Sequence, residues 1–254
     1  MANDYFSFKQ FTIWQDQCAM KVSTDACLFG AWASDYIQKV ITDSYARSTP
    51  LRIADVGAGT GLISLMIHQK NSTSTIEALE IDAPAAAQAR QNCSKAGASA
   101  QLKVITTDVT TFLPSAPYDI IISNPPFYQD DLKAATQKRN WAFHDETLTL
   151  SQLLLFISQH LCPEGHFFLL LPARREQEAE ALLRSAELIM VEKIIVRTTP
   201  QQLPHRLLIA GQRCQTPTTH IPIPINQKEI CLTTTEGSYS TAFTELLKDY
   251  YLAL

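Results

Sequence analysis

"LRIADVGAGTGLISLMIHQ", Leu51 to Gln69, sets the fold by changing period midway. "LRIADVG" is short, apolar and β-branched, as a strand buried on both faces is. "TGLISLMIHQ" has the length and spacing of a helix. Between them "DVGAGTG", Asp55 to Gly61, supplies three glycines where the backbone must turn sharply and approach a ligand closely. A strand, a glycine turn and a helix in that order form the first unit of a nucleotide-binding α/β sheet.

The same alternation continues along the chain. "TIEALEI", "QLKVITTD", "YDIIISNPPF", "GHFFLLLP", "LIMVEKIIVR" and "HRLLIAGQR" read as further strands. "PAAAQARQNCSKAG", "SQLLLFISQHL" and "RREQEAEALLRSA" read as the helices between them. Seven strands alternating with helices predict an α/β fold with a doubly wound, mostly parallel sheet. The N-terminal stretch is a polar, hairpin-like start followed by a helix that begins near Asp25 in "STDACLFGAWASDYI". "RCQTPTTHIPIPINQ", Arg213 to Gln227, is rich in Pro and Thr and reads as a surface connection, and "YSTAFTELLKDYYLAL" as a covering helix. We therefore expect one domain over residues 1–254, with 1–48 as an N-terminal extension and helix and 49–254 as the core.

Composition narrows the function. No apolar run reaches the roughly 18 residues that span a bilayer, and "MANDYFSFKQ" lacks the basic start and apolar core of a signal peptide, so a soluble, cytoplasmic protein is expected. Six scattered cysteines form no C-x-x-C or Cys/His pairing, so neither a metal nor a disulfide framework is indicated. A net charge of −4 confines any nucleic-acid contact to a local basic patch.

The glycine loop fits neither of the two common phosphate motifs. After Gly57 and Gly59 the third glycine position of G-x-G-x-x-G is Leu62, with Gly61 one residue early, and no G-K-[ST] follows. Roughly twenty residues on, Glu80 ends the second strand, placed to accept both hydroxyls of an unmodified ribose. Asp108, past the third strand in "TTDV", suits an exocyclic adenine amino group, and the acidic pair favours a cationic cofactor over a phosphorylated one.

Together these residues resemble the class I, Rossmann-like, S-adenosylmethionine-dependent methyltransferases. Asp55, Gly57, Gly59 and Gly61 match that family's first cofactor motif and Glu80 its ribose-binding acid, and the resemblance implies a terminal antiparallel hairpin. "SNPPFY", Ser123 to Tyr128, adds the [DN]-P-P-[YFW] motif after the fourth strand. The motif implies methylation of a nitrogen conjugated to a π system, with Asn124 and the Pro125 carbonyl holding the amino group beside the cofactor and Phe127 stacking on the base.

"FSFKQFTIWQDQCAMKVSTDACLFGAW", "IISNPPFYQ", "LPHRLLIA" and "YSTAFTELLKDYYL" are similar to the tRNA(Val) adenine-37 N6-methyltransferase family across nearly the whole chain. That similarity implies a tRNA partner. Lys9, Lys21, Lys133, Lys138, Arg139, Arg174, Arg175, His205 and Arg206 are the candidates for touching it, and Lys133, Arg139, Arg174, His205 and Arg206 the ones selected. Protein glutamine N5-methyltransferases and rRNA guanine N2-methyltransferases share the N-P-P motif and are the rival enzyme readings. No membrane or metal partner is expected, and a monomer is favoured.

Overall fold

A computed structural model describes residues 3–18, 20–43, 49–125, 148–214 and 224–254. The N-terminal strands β1 (Tyr5–Ser7) and β2 (Thr12–Trp14) form an antiparallel hairpin, followed by helix α1 (Thr24–Asp43). The core then alternates: β3 (Arg52–Val56), α2 (Leu62–Lys70), β4 (Thr75–Glu80), α3 (Ala83–Lys95), β5 (Leu102–Thr106) and β6 (Tyr118–Ser123). After it come α4 (Leu150–His160), β7 (Leu161–Pro172), a 3-10 turn over Ala173–Arg175 and α5 (Glu176–Ser185). Strands β8 (Leu188–Arg197), β9 (Arg206–Arg213) and β10 (Asn226–Cys231) and helix α6 (Thr241–Leu247) complete the described chain.

The main sheet runs β10-β8-β9-β7-β6-β3-β4-β5, with β9 antiparallel to both neighbours and every other pair parallel. The seven expected strands and the β8–β9 hairpin are all present. An eighth strand, β10, adds to the edge, and its first two residues fall in the stretch read as a surface connection. Its composition is the reason. "NQKEIC" is mostly exposed and lacks the apolar run that marks the inner strands.

Alternation within those runs builds two cores. Ile53, Ile120, Ile122, Phe168, Leu170 and Leu208 face α1, α2, α6 and the N-terminal aromatics. Ala54, Ile121, Phe167, Leu169 and Leu207 face α4 and α5. Burying Phe167 or Phe168 contributes about 1.5–3 kcal/mol relative to exposure, and both are fully buried.

Side chains fix the starts of α3, α4 and α6. Asp82 accepts the Ala85 N–H at the start of α3, Thr149 and Gln152 form a capping box on α4, and Ser240 caps α6.

From β3 the chain moves outward to β4 and β5, then crosses back to β6 on the other side of β3. That reversal opens a crevice at the carboxyl ends of β3 and β6, where open α/β sheets bind ligands. Val56 pairs with Ser123 at the end of both strands, so Gly57 and Asn124 leave the sheet side by side.

Candidate active site

Asp55, the penultimate residue of β3, is fully buried. Its Oδ2 accepts the Ser64 N–H at 3.1 Å and the Ser64 hydroxyl at 2.6 Å, which ties the strand to α2. Oδ1 is buried with no hydrogen-bond partner among the described residues. Burial pushes the carboxyl up to about 6, opposed by the Ser64 bonds and reinforced by the charge of Glu80.

The sign of the consequence follows from linkage. Between about pH 4 and 6 the folded protein keeps a proton that the unfolded chain has lost, so stability falls as pH rises through this window and the cost persists above it. Asp55→Asn removes that titration. Relative to wild type, the variant should gain about 2–3 kcal/mol between pH 4 and pH 7 in urea unfolding, from two pKa units at 1.36 kcal/mol each. Parallel stability profiles for the two proteins would refute the assignment.

The glycine loop is shaped by φ. Gly57, Gly59 and Gly61 have φ of +72°, +55° and +79°, where only glycine sits without strain. A Cβ on Gly57 or Gly59 would meet nothing within 4 Å, so the backbone there fronts open space. At Gly61 it would lie 3.4 Å from the Ala89 Cβ, because α3 packs against the loop. The Gly57 N–H donates to the Leu79 carbonyl at 2.8 Å, which fixes the loop to the end of β4.

Glu80, the last residue of β4, is almost buried. Its Oε2 accepts the Gly59 N–H at 2.7 Å and its Oε1 the Asp82 N–H at 2.9 Å. The sequence predicts a carboxylate given over to ribose; instead each oxygen already takes one backbone N–H and keeps one lone pair for a ligand. Glu80 therefore also shapes the loop.

Asp108 is exposed just beyond β5, with Oδ1 accepting the Thr110 N–H at 2.8 Å and hydroxyl at 2.7 Å. One of its oxygens is thus committed to its own turn. Asn124 is half-buried and Pro125 buried, and the Ser123 hydroxyl donates to the Val56 carbonyl at 2.8 Å, locking β6 to β3 immediately before the motif. Phe127, Lys133, Lys138 and Arg139 lie outside the described residues.

Arg174, His205 and Arg206 share this edge of the sheet, because Pro172 at the end of β7 pairs with Arg206 at the start of antiparallel β9. Arg174 is exposed in the 3-10 turn. His205 Nε2 and Arg206 Nε each lie 3.0 Å from the Asp25 carboxylate, which offsets the Arg206 charge and ties α1 to the start of β9. Lys9 donates to the Lys248 and Leu254 carbonyls and Lys21 to that of Gln15, so these two clamp backbone.

Sequence patterns do not single out Ser64 or Asn92, and mark Asp25 only as a helix start; their partners lie distant in the chain or across the turn between strand and helix. Asp82 carries a readable signal, as an Asp two residues before Pro84 at a helix start.

Within this geometry, Glu80 braces an open glycine loop that leaves the sheet beside Asn124, with Asp108 exposed beyond the neighbouring strand, an acceptor set that fits a cationic nucleoside. Comparison with known proteins agrees. The methyltransferase small domain model matches residues 19–186. The tRNA1(Val) (adenine(37)-N6)-methyltransferase of Parabacteroides distasonis is 38% identical over the full length of both chains. That of Dyadobacter fermentans is 37% identical over 98% of each. Among solved structures, the ribosomal protein L11 methylase of Lactobacillus delbrueckii superposes with a TM-score of 0.53 at 16% identity, covering 79% of this chain and 83% of that one. The fold is that of the class I methyltransferases, and with full-length relatives at this identity the chain belongs to the tRNA1(Val) (adenine(37)-N6)-methyltransferase family.

Proposed function

We propose that this protein transfers a methyl group from S-adenosylmethionine to the N6 amino group of adenine 37, next to the anticodon of tRNA(Val), in the cytoplasm. The observation that carries the reading is the placement of Asn124 and Pro125 beside the glycine loop at the sheet's reversal point. It is supported by the names of the full-length relatives.

The cofactor, when bound, supplies an electrophilic methyl on a sulfonium. The chain's own residues do the rest. The open backbone at Gly57 and Gly59 lets the ligand approach the loop, and Glu80 takes the ribose hydroxyls on its free lone pairs. Asp108 has one carboxylate oxygen outside its turn for an adenine amino group.

An adenine N6 lone pair is delocalised into the ring and attacks poorly. Two acceptors aimed at its hydrogens, the Asn124 side-chain oxygen and the Pro125 carbonyl, favour a pyramidal nitrogen whose lone pair is free. Asn cannot take a proton outright, so positioning and dipoles carry the step. The methylated nitrogen becomes acidic and releases its proton to water.

The test is methylation of a tRNA(Val) transcript with A37 and one with G37, read by nucleoside mass spectrometry. N6-methyladenosine from the A37 transcript alone is the expected result. Methylation of guanine N2, or of a protein glutamine instead of tRNA, would replace this reading with one of the rival acceptors.

A further inference from the structure

Asn92 lies in the last turn of α3 and is fully buried, an unusual place for an amide. Its side chain uses both donor hydrogens and one acceptor site. Oδ1 accepts the Trp14 N–H at 3.0 Å, and Nδ2 donates to the Trp14 carbonyl and to the Thr60 carbonyl, both at 2.9 Å. Trp14 is the last residue of the N-terminal hairpin, and Thr60 lies between Gly59 and Gly61. One amide therefore holds the N-terminal hairpin and the glycine loop at once.

Neighbouring groups strengthen the link. Gln88, one turn earlier on α3, accepts the Gln17 N–H at 3.3 Å. Ala89 and Cys93 on the same face back Gly61. Cys18 follows, its thiol pushed up to about 11 by burial and then by the charges of Glu80 and Asp82. The hairpin's far end is anchored elsewhere, through the Phe8–Tyr251 bridge and the Lys9 N–H donated to the Tyr250 carbonyl. Residues 12–18 are thus strapped across α3 beside the cofactor crevice.

From this arrangement we infer that Asn92 is a positioning residue that couples the N-terminal segment to cofactor binding, so that ordering of residues 12–18 and occupation of the glycine loop favour each other. The inference rests on the cofactor reading above. Linkage makes the coupling reciprocal: if the docked segment raises cofactor affinity by some factor, the cofactor stabilises docking by the same factor.

Hydrogen exchange on the full-length protein, with and without saturating S-adenosylhomocysteine, tests it. The Trp14 and Gln17 amides, which donate to Asn92 and Gln88, should slow by at least about fivefold, and by more than amides of the remote edge strand β10. Slowing at Gly59 and Gly61 with no extra protection at Trp14 and Gln17 would overturn the coupling. No heat on calorimetric titration and no slowing anywhere would instead overturn the cofactor reading.

Asn92→Asp keeps the acceptor for Trp14 but loses both donors. It should weaken S-adenosylhomocysteine binding by about fivefold or more and raise the cofactor KM, while kcat at saturating cofactor stays near wild type. A folded variant with unchanged affinity would refute the positioning role. If the variant does not fold, the wild-type exchange pattern still decides.

Discussion

Asn124→Ala is expected to slow single-turnover methyl transfer by about a hundredfold or more, because one preorganised polar contact at the reacting centre supplies roughly 3 kcal/mol. Cofactor and tRNA affinity should barely change if the amide acts, as proposed, while the nitrogen becomes pyramidal. Asn124→Asp preserves an acceptor oxygen and should lose much less. The backbone makes this a clean experiment. Ser123 fixes the end of β6 to Val56 through its own hydroxyl, so shortening the next side chain leaves the strand end in place. Saturating cofactor with varied tRNA separates the maximal rate from capture of the substrate. An undiminished maximal rate in Asn124→Ala would remove the amide from the chemistry and leave the Pro125 carbonyl as the remaining proposed acceptor.

Asn124 is legible in the amino-acid sequence for a reason that also explains why other residues are not. A strand buried on both faces writes itself as a continuous apolar run, so the ends of β3, β4 and β6 can be located to within a residue or two, and with them Gly57, Glu80 and Asn124. Parallel topology then gathers those ends on one edge. The same logic fails at β10, whose polar, exposed sequence carries no burial signal. It also fails for Asn92, an amide in a helix that looks solvated until Trp14, 78 residues earlier, packs over it with the rest of the hairpin. His205 and Arg206 show a third kind of limit. Their position at the carboxyl edge is readable, but their pairing with Asp25, which ties α1 to β9, depends on where α1 lands.

Glu80 carries the second large expected effect, for a reason the sequence does not contain. Its carboxylate, proposed above to take the ribose hydroxyls, also holds the Gly59 N–H at 2.7 Å and the Asp82 N–H at 2.9 Å. Glu80→Ala therefore removes the ribose acceptor and releases the loop in one step. A hydrogen bond to a charged group is worth roughly 1.5–3 kcal/mol, so losing the ribose contact alone weakens S-adenosylhomocysteine about tenfold or more, and loosening the loop as well brings the loss near a hundredfold. Glu80→Gln distinguishes the two contributions. Its amide keeps one oxygen acceptor but must turn an NH2 toward either Gly59 or Asp82, each of which presents an N–H, so part of the loop is still disrupted while one ribose acceptor survives. Titration calorimetry should therefore rank the proteins wild type, then Gln, then Ala, with the Ala variant also showing faster amide exchange at Gly59. Equal affinity in all three, with the fold intact, would move the ribose away from β4. Equal loss in Gln and Ala would mean that loop geometry, rather than the ribose bond, dominates binding.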